Sequence, residues 1–220
     1  MVSGIRSIFD REFDEVRASL TKMSELVDIA IDRSMQALAD RDIKLAKVVI
    51  NGDGEINKYR FQIEEACLTL IATQQPAATD LREIIAILYM IVEMERMGDY
   101  AAGIAKTVIL MEEEPLLKTF KKIFKMASIS RQMLADSMQA FANRDPILAQ
   151  EIADRDNKTD QLYKVIFLRL IKIMAKDPEM VTRCTYLMWC AHNLERIADR
   201  VINITEQIIF MTTGTLKEFG

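Results

Sequence analysis

Two stretches decide the fold of this chain: Glu95-Arg96-Met97-Gly98-Asp99-Tyr100 and Glu195-Arg196-Ile197-Ala198-Asp199-Arg200. Both lie in long apolar runs without proline, which predicts a helix for each. Residues i and i+4 share one face of a helix, so each copy stacks two carboxylates side by side. Like charges at this spacing repel each other, and more strongly inside a core, unless a cation neutralises them. Because this unfavourable arrangement occurs twice, the paired carboxylates are expected to have a functional role.

The composition favours an all-α fold. Half of the 220 residues are hydrophobic, whereas only 7 are glycine and 4 are proline, a balance that suits long helices. The formal net charge is −4, and Lys and Arg are scattered along the chain, which argues against a nucleic-acid partner. The three cysteines lack metal-type spacing and have apolar neighbours, so we expect buried free thiols at Cys67, Cys184 and Cys190.

The hydropathy pattern predicts no membrane-spanning helix. The longest uncharged apolar stretch, residues 84–92, is far shorter than the roughly 20 residues that a membrane helix needs. Arg6, Asp10 and Arg11 interrupt any secretory signal sequence at the N-terminus. We therefore expect a soluble, cytoplasmic protein.

Apolar spacing predicts three helices in the first half, over residues 9–38, 42–73 and 80–111. Asp42 is the expected N-cap of the second helix, and Asp80 with Glu83 resembles a capping box at the start of the third. The second helix contains Gly52-Asp53-Gly54, which suggests either close approach of a neighbouring group or local flexibility.

The second half repeats this plan. Residues 138–145 echo residues 35–42 at an offset of 103, Asp145-Pro146 is a strong helix start, and the last helix is expected over 178–211. Such repetition predicts two tandem copies of an antiparallel three-helix bundle, with six long helices in all. The helix-breaking stretch at Pro115 places the boundary between the repeats, so that the domains are residues 1–114 and 115–220.

Hairpin geometry brings the acidic motifs together with a second set of oxygen-bearing side chains. If each hairpin turns at Pro76 or at Asp177-Pro178, residues at equal distances from the turn face each other. The facing sets are then Asp53, Asn57, Glu95 and Asp99 in the first half, and Asp156, Asp160, Glu195 and Asp199 in the second.

Seven carboxylates and one amide in two clusters must protonate, draw in Arg and Lys, or bind a metal. Oxygen ligands suit hard cations such as Mg, Mn, Ca or ferric iron. The alternative is a solvated, salt-bridged helix face. His192 is interpreted as a core or rim residue rather than a ligand, and Arg96 and Arg196 as helix contacts or carboxylate partners.

Three segments of the chain, taken together, resemble the sequence pattern of the PhoU family. The resemblance rests on Gln74-Gln75-Pro76-Ala77-Ala78-Thr79-Asp80-Leu81-Arg82, followed by Met94-Glu95-Arg96-Met97-Gly98-Asp99 and Leu194-Glu195-Arg196-Ile197-Ala198-Asp199, and it covers essentially the whole chain. It implies an all-α, cytoplasmic, commonly dimeric protein with multinuclear metal clusters at paired E(D)xxxD motifs. Iron is the expected metal, with manganese, magnesium, zinc or another divalent cation as alternatives.

These motifs match Glu95/Asp99, Glu195/Asp199 and Asp156/Asp160. The remaining pair, Asp53/Asn57, departs from the acidic pattern because Asn57 supplies a neutral amide oxygen. The first site is therefore expected to bind metal more weakly, or to bind fewer ions.

The resemblance also implies a function: negative regulation of phosphate uptake and phosphate-starvation signalling. The expected protein is an adaptor between the phosphate-specific ABC transporter, through its ATPase or permease subunits, and a sensor histidine kinase. It would be a homodimer that reaches the membrane only through these partners. Alternatives are an accessory regulator of another phosphate transporter and a purely structural bundle.

An enzyme is not expected, because the sequence shows no nucleophile motif, Gly-rich phosphate loop or catalytic triad. The enzymatic alternative is a carboxylate-bridged metal oxidoreductase in a helical bundle. Its ferritin-like form needs two Glu-x-x-His motifs, which a chain with one histidine cannot supply.

Overall fold

The computed structural model describes residues 2–111, 120–216 and 219, and within these ranges the chain forms helices and no strand. The all-α prediction is confirmed. The helices are α1 (Val2–Asp40), α2 (Ile43–Gln74), α3 (Ala78–Met111), α4 (Phe120–Asn143), α5 (Pro146–Ala153), α6 (Asp156–Lys176) and α7 (Val181–Thr213). Six of them are long, as expected, and the short α5 precedes α6 where one continuous helix was predicted.

Equivalent N-caps begin the second helix of each repeat. The Asp42 side chain accepts hydrogen bonds from the backbone N–H groups of Lys44 and Leu45, each at 2.9 Å. The Asp145 side chain does the same for Ile147 and Leu148, with Pro146 in the first turn. Both predicted starts are confirmed, and both caps follow an arginine with positive φ.

The predicted capping box of α3 is wrong. The helix begins at Ala78, so Asp80 lies inside the first turn, and the Glu83 carboxylate is directed to other helices. Glu83 is 3% exposed and accepts a hydrogen bond from Arg17 Nε of α1 at 2.7 Å. It also binds Arg144, which precedes α5. Glu83 therefore joins the two halves of the molecule.

The glycines of α2 do not interrupt the helix, which runs unbroken through residues 52–54. A Cβ atom added at Gly52 or Gly54 would meet no atom within 4 Å. The expectation of a close neighbour is therefore wrong at these two positions.

The core centres on α3 and α7, which share the most extensive helix interface. Asn203 Nδ2 on α7 donates to Glu93 Oε2 on α3 at 3.0 Å, and Asn193 lies against Gly103. Residue numbers thus fall along α7 as they rise along α3, so the two helices are antiparallel. Helices α1 and α2 pack on α3, and α4 to α6 pack on α7. Each repeat therefore forms its own helical bundle, and the two bundles meet along the interface between α3 and α7, here called the α3–α7 seam.

Ion pairs also cross between the repeats. Arg131 on α4 binds Asp28 on α1 through Nε at 2.7 Å and also binds Asp32. Arg200 on α7 binds Glu93 at 3.1 Å. These links and the apolar seam hold the two repeats together.

Several other sequence predictions concern single features. The three cysteines are free and buried, as expected. No helix among the described residues is both long and apolar enough to cross a membrane. The predicted boundary between residues 114 and 115 lies outside the described residues, so the division into 1–114 and 115–220 stays a prediction.

Candidate functional site

The second acidic cluster joins α6 to α7. Asp156 and Asp160 lie one turn apart at the start of α6, and Glu195 and Asp199 lie one turn apart in the middle of α7. Burial, as the largest cause, and then the charges of Asp160, Asp199 and Glu195 in that order together raise the pKa of Asp156 to about 6. All four predicted residues therefore act on one another across the helix pair.

Two more carboxyl groups of this cluster resist ionisation. Burial is the main cause of the raised pKa of Glu195, followed by the charge of Asp199. Burial also raises the pKa of Asp199, while Arg196 acts against it. Such shifts mark charges that are incompletely neutralised by the protein itself.

Arg196 supplies most of the neutralisation that exists. Its Nε lies 3.1 Å from Glu195 Oε2, and its Nη1 lies 3.2 Å from Asp199 Oδ2. The interpretation of Arg196 as a carboxylate partner is confirmed. His192 lies at the rim, with its side chain 47% exposed and Nδ1 3.5 Å from Glu195 Oε2.

Unsatisfied buried oxygens lie in the second cluster. Asp156 Oδ1 and Glu195 Oε2 are buried without a hydrogen-bond partner, although the latter has the ion-pair contacts with Arg196 and His192 just described. Thr159, between the two α6 aspartates, is fully buried, and its hydroxyl has no partner among the described residues. Buried polar atoms normally have hydrogen-bond partners, so these unpaired oxygens are an exception.

The first cluster has the predicted register but a milder electrostatic environment. Asn57 Nδ2 donates to Asp53 Oδ2 at 3.1 Å, and Asp53 Oδ1 is buried without a hydrogen bond. Burial raises the pKa of Asp53, and the charge of Asp99 on α3 adds to the effect. A Cβ atom at Gly98 would lie 3.2 Å from Asp53 Oδ1, so glycine permits close approach of α2 and α3 here.

Cationic side chains also lie near the first cluster, at longer distances than Arg196 in the second. Arg96 Nε lies 3.6 Å from Glu95 Oε2, and Arg60 Nη1 lies 4.0 Å from Glu95 Oε1. The charge of Lys106 lowers the pKa of Asp53. Arg60 was not predicted, and its equivalent in the second repeat, 103 residues later, is the uncharged Tyr163. The offset between the repeats would have revealed this difference in the sequence.

The donor chemistry fits a hard cation. Among the described residues, no group of three or more Asp, Glu, His or Cys side chains lies in an arrangement that could hold a metal ion. Nevertheless, oxygen-only donors, unpaired buried oxygens and mutually repelling carboxylates are features that a bound cation would satisfy. Both clusters show these features, but the first has one carboxylate fewer, because Asn57 supplies an amide in its place.

Comparison with known proteins agrees with the helical architecture. The PhoU domain model matches twice, at residues 20–108 and 123–208. A PhoU homolog of the phosphate-specific transport system from Streptococcus pneumoniae is 34% identical over 98% of this chain and 100% of its own length. The corresponding protein of Aquifex aeolicus is 36% identical over 94% of this chain and 93% of its own.

Solved structures give the same result. The crystal structure of PhoU from Pseudomonas aeruginosa superposes with a TM-score of 0.90 at 34% identity, covering 94% of this chain and all of that one. The phosphate transport system regulatory protein PhoU from Streptococcus pneumoniae gives a TM-score of 0.89 at 34% identity, covering 96% of this chain and 99% of that one. With two domain matches and relatives that align over nearly their whole length, this chain belongs to the PhoU family.

Proposed function

We propose that this protein is a regulatory accessory component of a phosphate-specific transport system. Support comes from relatives aligned over nearly the full chain, which are named as accessory proteins of that system, and from a structural relative named as its regulatory protein. The role proposed is negative regulation: the protein keeps phosphate uptake and the starvation response low when phosphate is plentiful.

The proposed partners are the phosphate ABC transporter, through its ATPase or permease subunits, and a sensor histidine kinase. The protein works as a homodimer in the cytoplasm and has no turnover of its own. An adaptor needs exposed surface for its partners rather than a catalytic pocket.

We also propose that the acidic clusters hold metal, with iron expected first and other hard cations as alternatives. The single observation that carries this step is the Asp156 carboxyl, which has an unpaired buried oxygen and three carboxylate neighbours across α6 and α7. Asp156, Asp160, Glu195 and Asp199 would hold the second site. Asp53, Asn57, Glu95 and Asp99 would hold the first, with weaker affinity because of Asn57 and the nearby cations.

A bound cation would supply positive charge between α6 and α7. Because each helix contributes two carboxylates, metal binding would tie the hairpin together, and metal loss would leave repelling charges there. A ligand that stabilises one helix arrangement in this way shifts the population of conformations that a partner meets.

Multi-element analysis of protein purified without chelator tests the metal sites. We expect a bound hard cation that is largely lost in Asp156→Ala/Glu195→Ala and lost to a smaller extent in Asp53→Ala/Glu95→Ala. The matched control is Asp14→Ala/Glu25→Ala, which removes exposed carboxylates of α1 and should leave the metal content unchanged. Full metal content in the second-cluster variant would reject the assignment.

A reporter assay tests the regulatory role separately. In a bacterial strain lacking its own PhoU protein, this chain should restore repression of a phosphate-starvation promoter at high phosphate. Repression that survives in Asp156→Ala/Glu195→Ala would separate regulation from metal binding. Failure of the wild-type chain to repress, in a host whose own PhoU protein does so, counts against the proposed adaptor.

A further inference from the structure

Helix α6 exposes apolar side chains on the side that faces solvent. Ile166 and Leu170 are fully buried against the bundle, as expected for an amphipathic helix. However, Val165, Leu168 and Ile171 are 45%, 59% and 42% exposed on the other side. A surface helix normally places polar residues there, so this arrangement needs an explanation.

Basic residues surround these apolar side chains. We define the α4–α6 basic face as six exposed side chains, none of which forms an ion pair with another described residue: Lys121, Lys125, Lys158, Lys164, Arg169 and Lys172. Lys125 and Lys158 line one groove of about 270 Å³ together with Val165, which places the α4 and α6 cations on the same surface. This concentration is unusual in a chain with a net charge of −4.

Aromatic residues extend the same surface onto α7. Trp189 is 48% exposed and its ring lies 5.5 Å from that of Tyr186 at a tilt of 58°, and Phe167 on α6 is 37% exposed. The Tyr163 and His192 rings, 6.1 Å apart, connect the two helices. Trp and Tyr favour boundaries where one end of the ring is in an apolar medium and the other is in water.

The first repeat provides an internal comparison. Its α2 also exposes apolar side chains, Phe61 at 59% and Leu68 at 56%, 103 residues before Lys164 and Ile171. Between them lie Glu64 and Glu65, where α6 has Phe167 and Leu168. The apolar exposure is thus shared by both repeats, whereas the excess of positive charge belongs to the second.

We propose that the α4–α6 basic face, with Leu168, Ile171 and Trp189, is a docking surface for an anionic lipid bilayer. The protein binds in the plane of the interface: aliphatic and indole groups enter the headgroup region while lysines pair with lipid phosphates. Charge complementarity and exposed apolar groups together favour lipid over a nucleic acid or an acidic protein, which would use the cations without Leu168. This inference does not depend on the proposed function, and it replaces the expectation that the protein reaches the membrane only through its partners.

Vesicle flotation of the full chain tests the surface. The probe is vesicles of phosphatidylglycerol mixed with phosphatidylcholine, compared with phosphatidylcholine alone. Trp189, the only tryptophan, reports binding directly through a blue shift of its emission. We expect flotation and a blue shift with the anionic vesicles only, and loss of both when the Debye length falls from roughly 30 Å at 0.01 M salt to 3 Å at 1 M.

Two variant pairs separate charge from insertion. Lys164→Gln/Lys172→Gln should weaken partitioning by about 25-fold, since each basic residue near an anionic surface contributes about five-fold. Leu168→Ser/Ile171→Ser should abolish both flotation and the blue shift. The matched control, Phe61→Ser/Leu68→Ser on α2, should bind like the wild type, and all variants should keep the helical circular dichroism of the parent.

Three results would overturn the proposal: no binding to anionic vesicles at low salt, equal binding to neutral vesicles, or binding insensitive to Leu168→Ser/Ile171→Ser. If soluble heparin or an acidic polypeptide captured wild type and Leu168→Ser/Ile171→Ser equally while vesicles captured neither, the face would bind soluble polyanions instead of lipid.

Discussion

Asp156 shows how one partly buried carboxyl group can reduce the stability of a fold. Its carboxyl is partly buried beside three other carboxylates, with one oxygen unpaired, and its pKa is raised to about 6. A raised pKa means that the folded protein holds this proton more tightly than the unfolded chain does. Ionisation of Asp156 therefore opposes folding.

Metal-free protein should consequently lose stability as the pH rises from about 4 to about 6 and show no further loss from this group above that range. Asp156→Asn removes the charge, so at neutral pH it should stabilise the chelator-treated protein. Because Asp156 is partly solvated, the gain should be on the order of 1 kcal/mol rather than the full value of the pKa shift. Urea denaturation across this pH range measures it.

The control for this prediction is Glu151→Gln, which neutralises an exposed carboxylate on α5. It should leave the pH profile of the parent intact. If Asp156→Asn instead lowered the stability of the metal-free protein at neutral pH, the Asp156 carboxylate would be favourably paired in the fold, contrary to the geometry described above.

The sequence predicted which carboxylates of the second cluster face each other, but it did not predict which of their polar atoms lack a partner. Turn positions and the i, i+4 rule were enough to bring Asp156 and Asp160 opposite Glu195 and Asp199. The unpaired hydroxyl of Thr159 could not be predicted, because helical spacing does not show which polar atoms lack a partner. Whether the eight oxygen-bearing residues bind metal stays a prediction.

At the scale of elements, the glycines of α2 contrast with Gly98 of α3. Gly52 and Gly54 lie in open space, whereas a Cβ at Gly98 would lie 2.9 Å from Ile56 Cδ1. The second repeat has Ala198 at the Gly98 position and Thr159 at the Ile56 position. Where α2 faces α3, a small glycine is thus paired with a large isoleucine, whereas the second repeat pairs alanine with the smaller threonine.

Gly52→Ala and Gly54→Ala should each stabilise the protein by about 0.5 to 1 kcal/mol, because alanine restricts the unfolded chain and favours helix. Thermal unfolding followed by circular dichroism measures the gain. Gly98→Ala serves as the comparison and should show a smaller gain or a loss, since Ile56 must move. An equal gain at Gly98 would mean that α2 and α3 are less closely packed than described.

Helix positions were more predictable than helix ends and breaks. Asp42 and Asp145 are caps that the sequence indicated, because a short acidic side chain before an apolar run has few other roles. The break between α5 and α6 has no proline or glycine, and it accompanies a tertiary contact in which Arg155 binds Asp136 of α4. The Glu83 links were missed for the same reason, since local patterns do not show contacts between distant helices.

At the scale of the whole molecule, the α3–α7 seam should make the two repeats unfold together. Both central helices are buried along much of their length, so separating the repeats would expose apolar surface on each. The ion pairs of Glu83 with Arg144, Glu93 with Arg200 and Arg131 with Asp28 add links between the repeats. The molecule is therefore expected to behave as one cooperative unit despite its tandem architecture.

The equivalent caps provide the test. Asp42→Ala affects the first repeat and Asp145→Ala the second, and each should cost about 1 kcal/mol. For a chain of this size that corresponds to a fall of roughly 2 to 4 °C in Tm.

Trp189 reports only on the second repeat, while circular dichroism reports on both. If unfolding is cooperative, Asp42→Ala should lower the Trp189 transition as much as Asp145→Ala does. A Trp189 transition unmoved by Asp42→Ala would instead show that the repeats unfold independently, with a seam too weak to couple them.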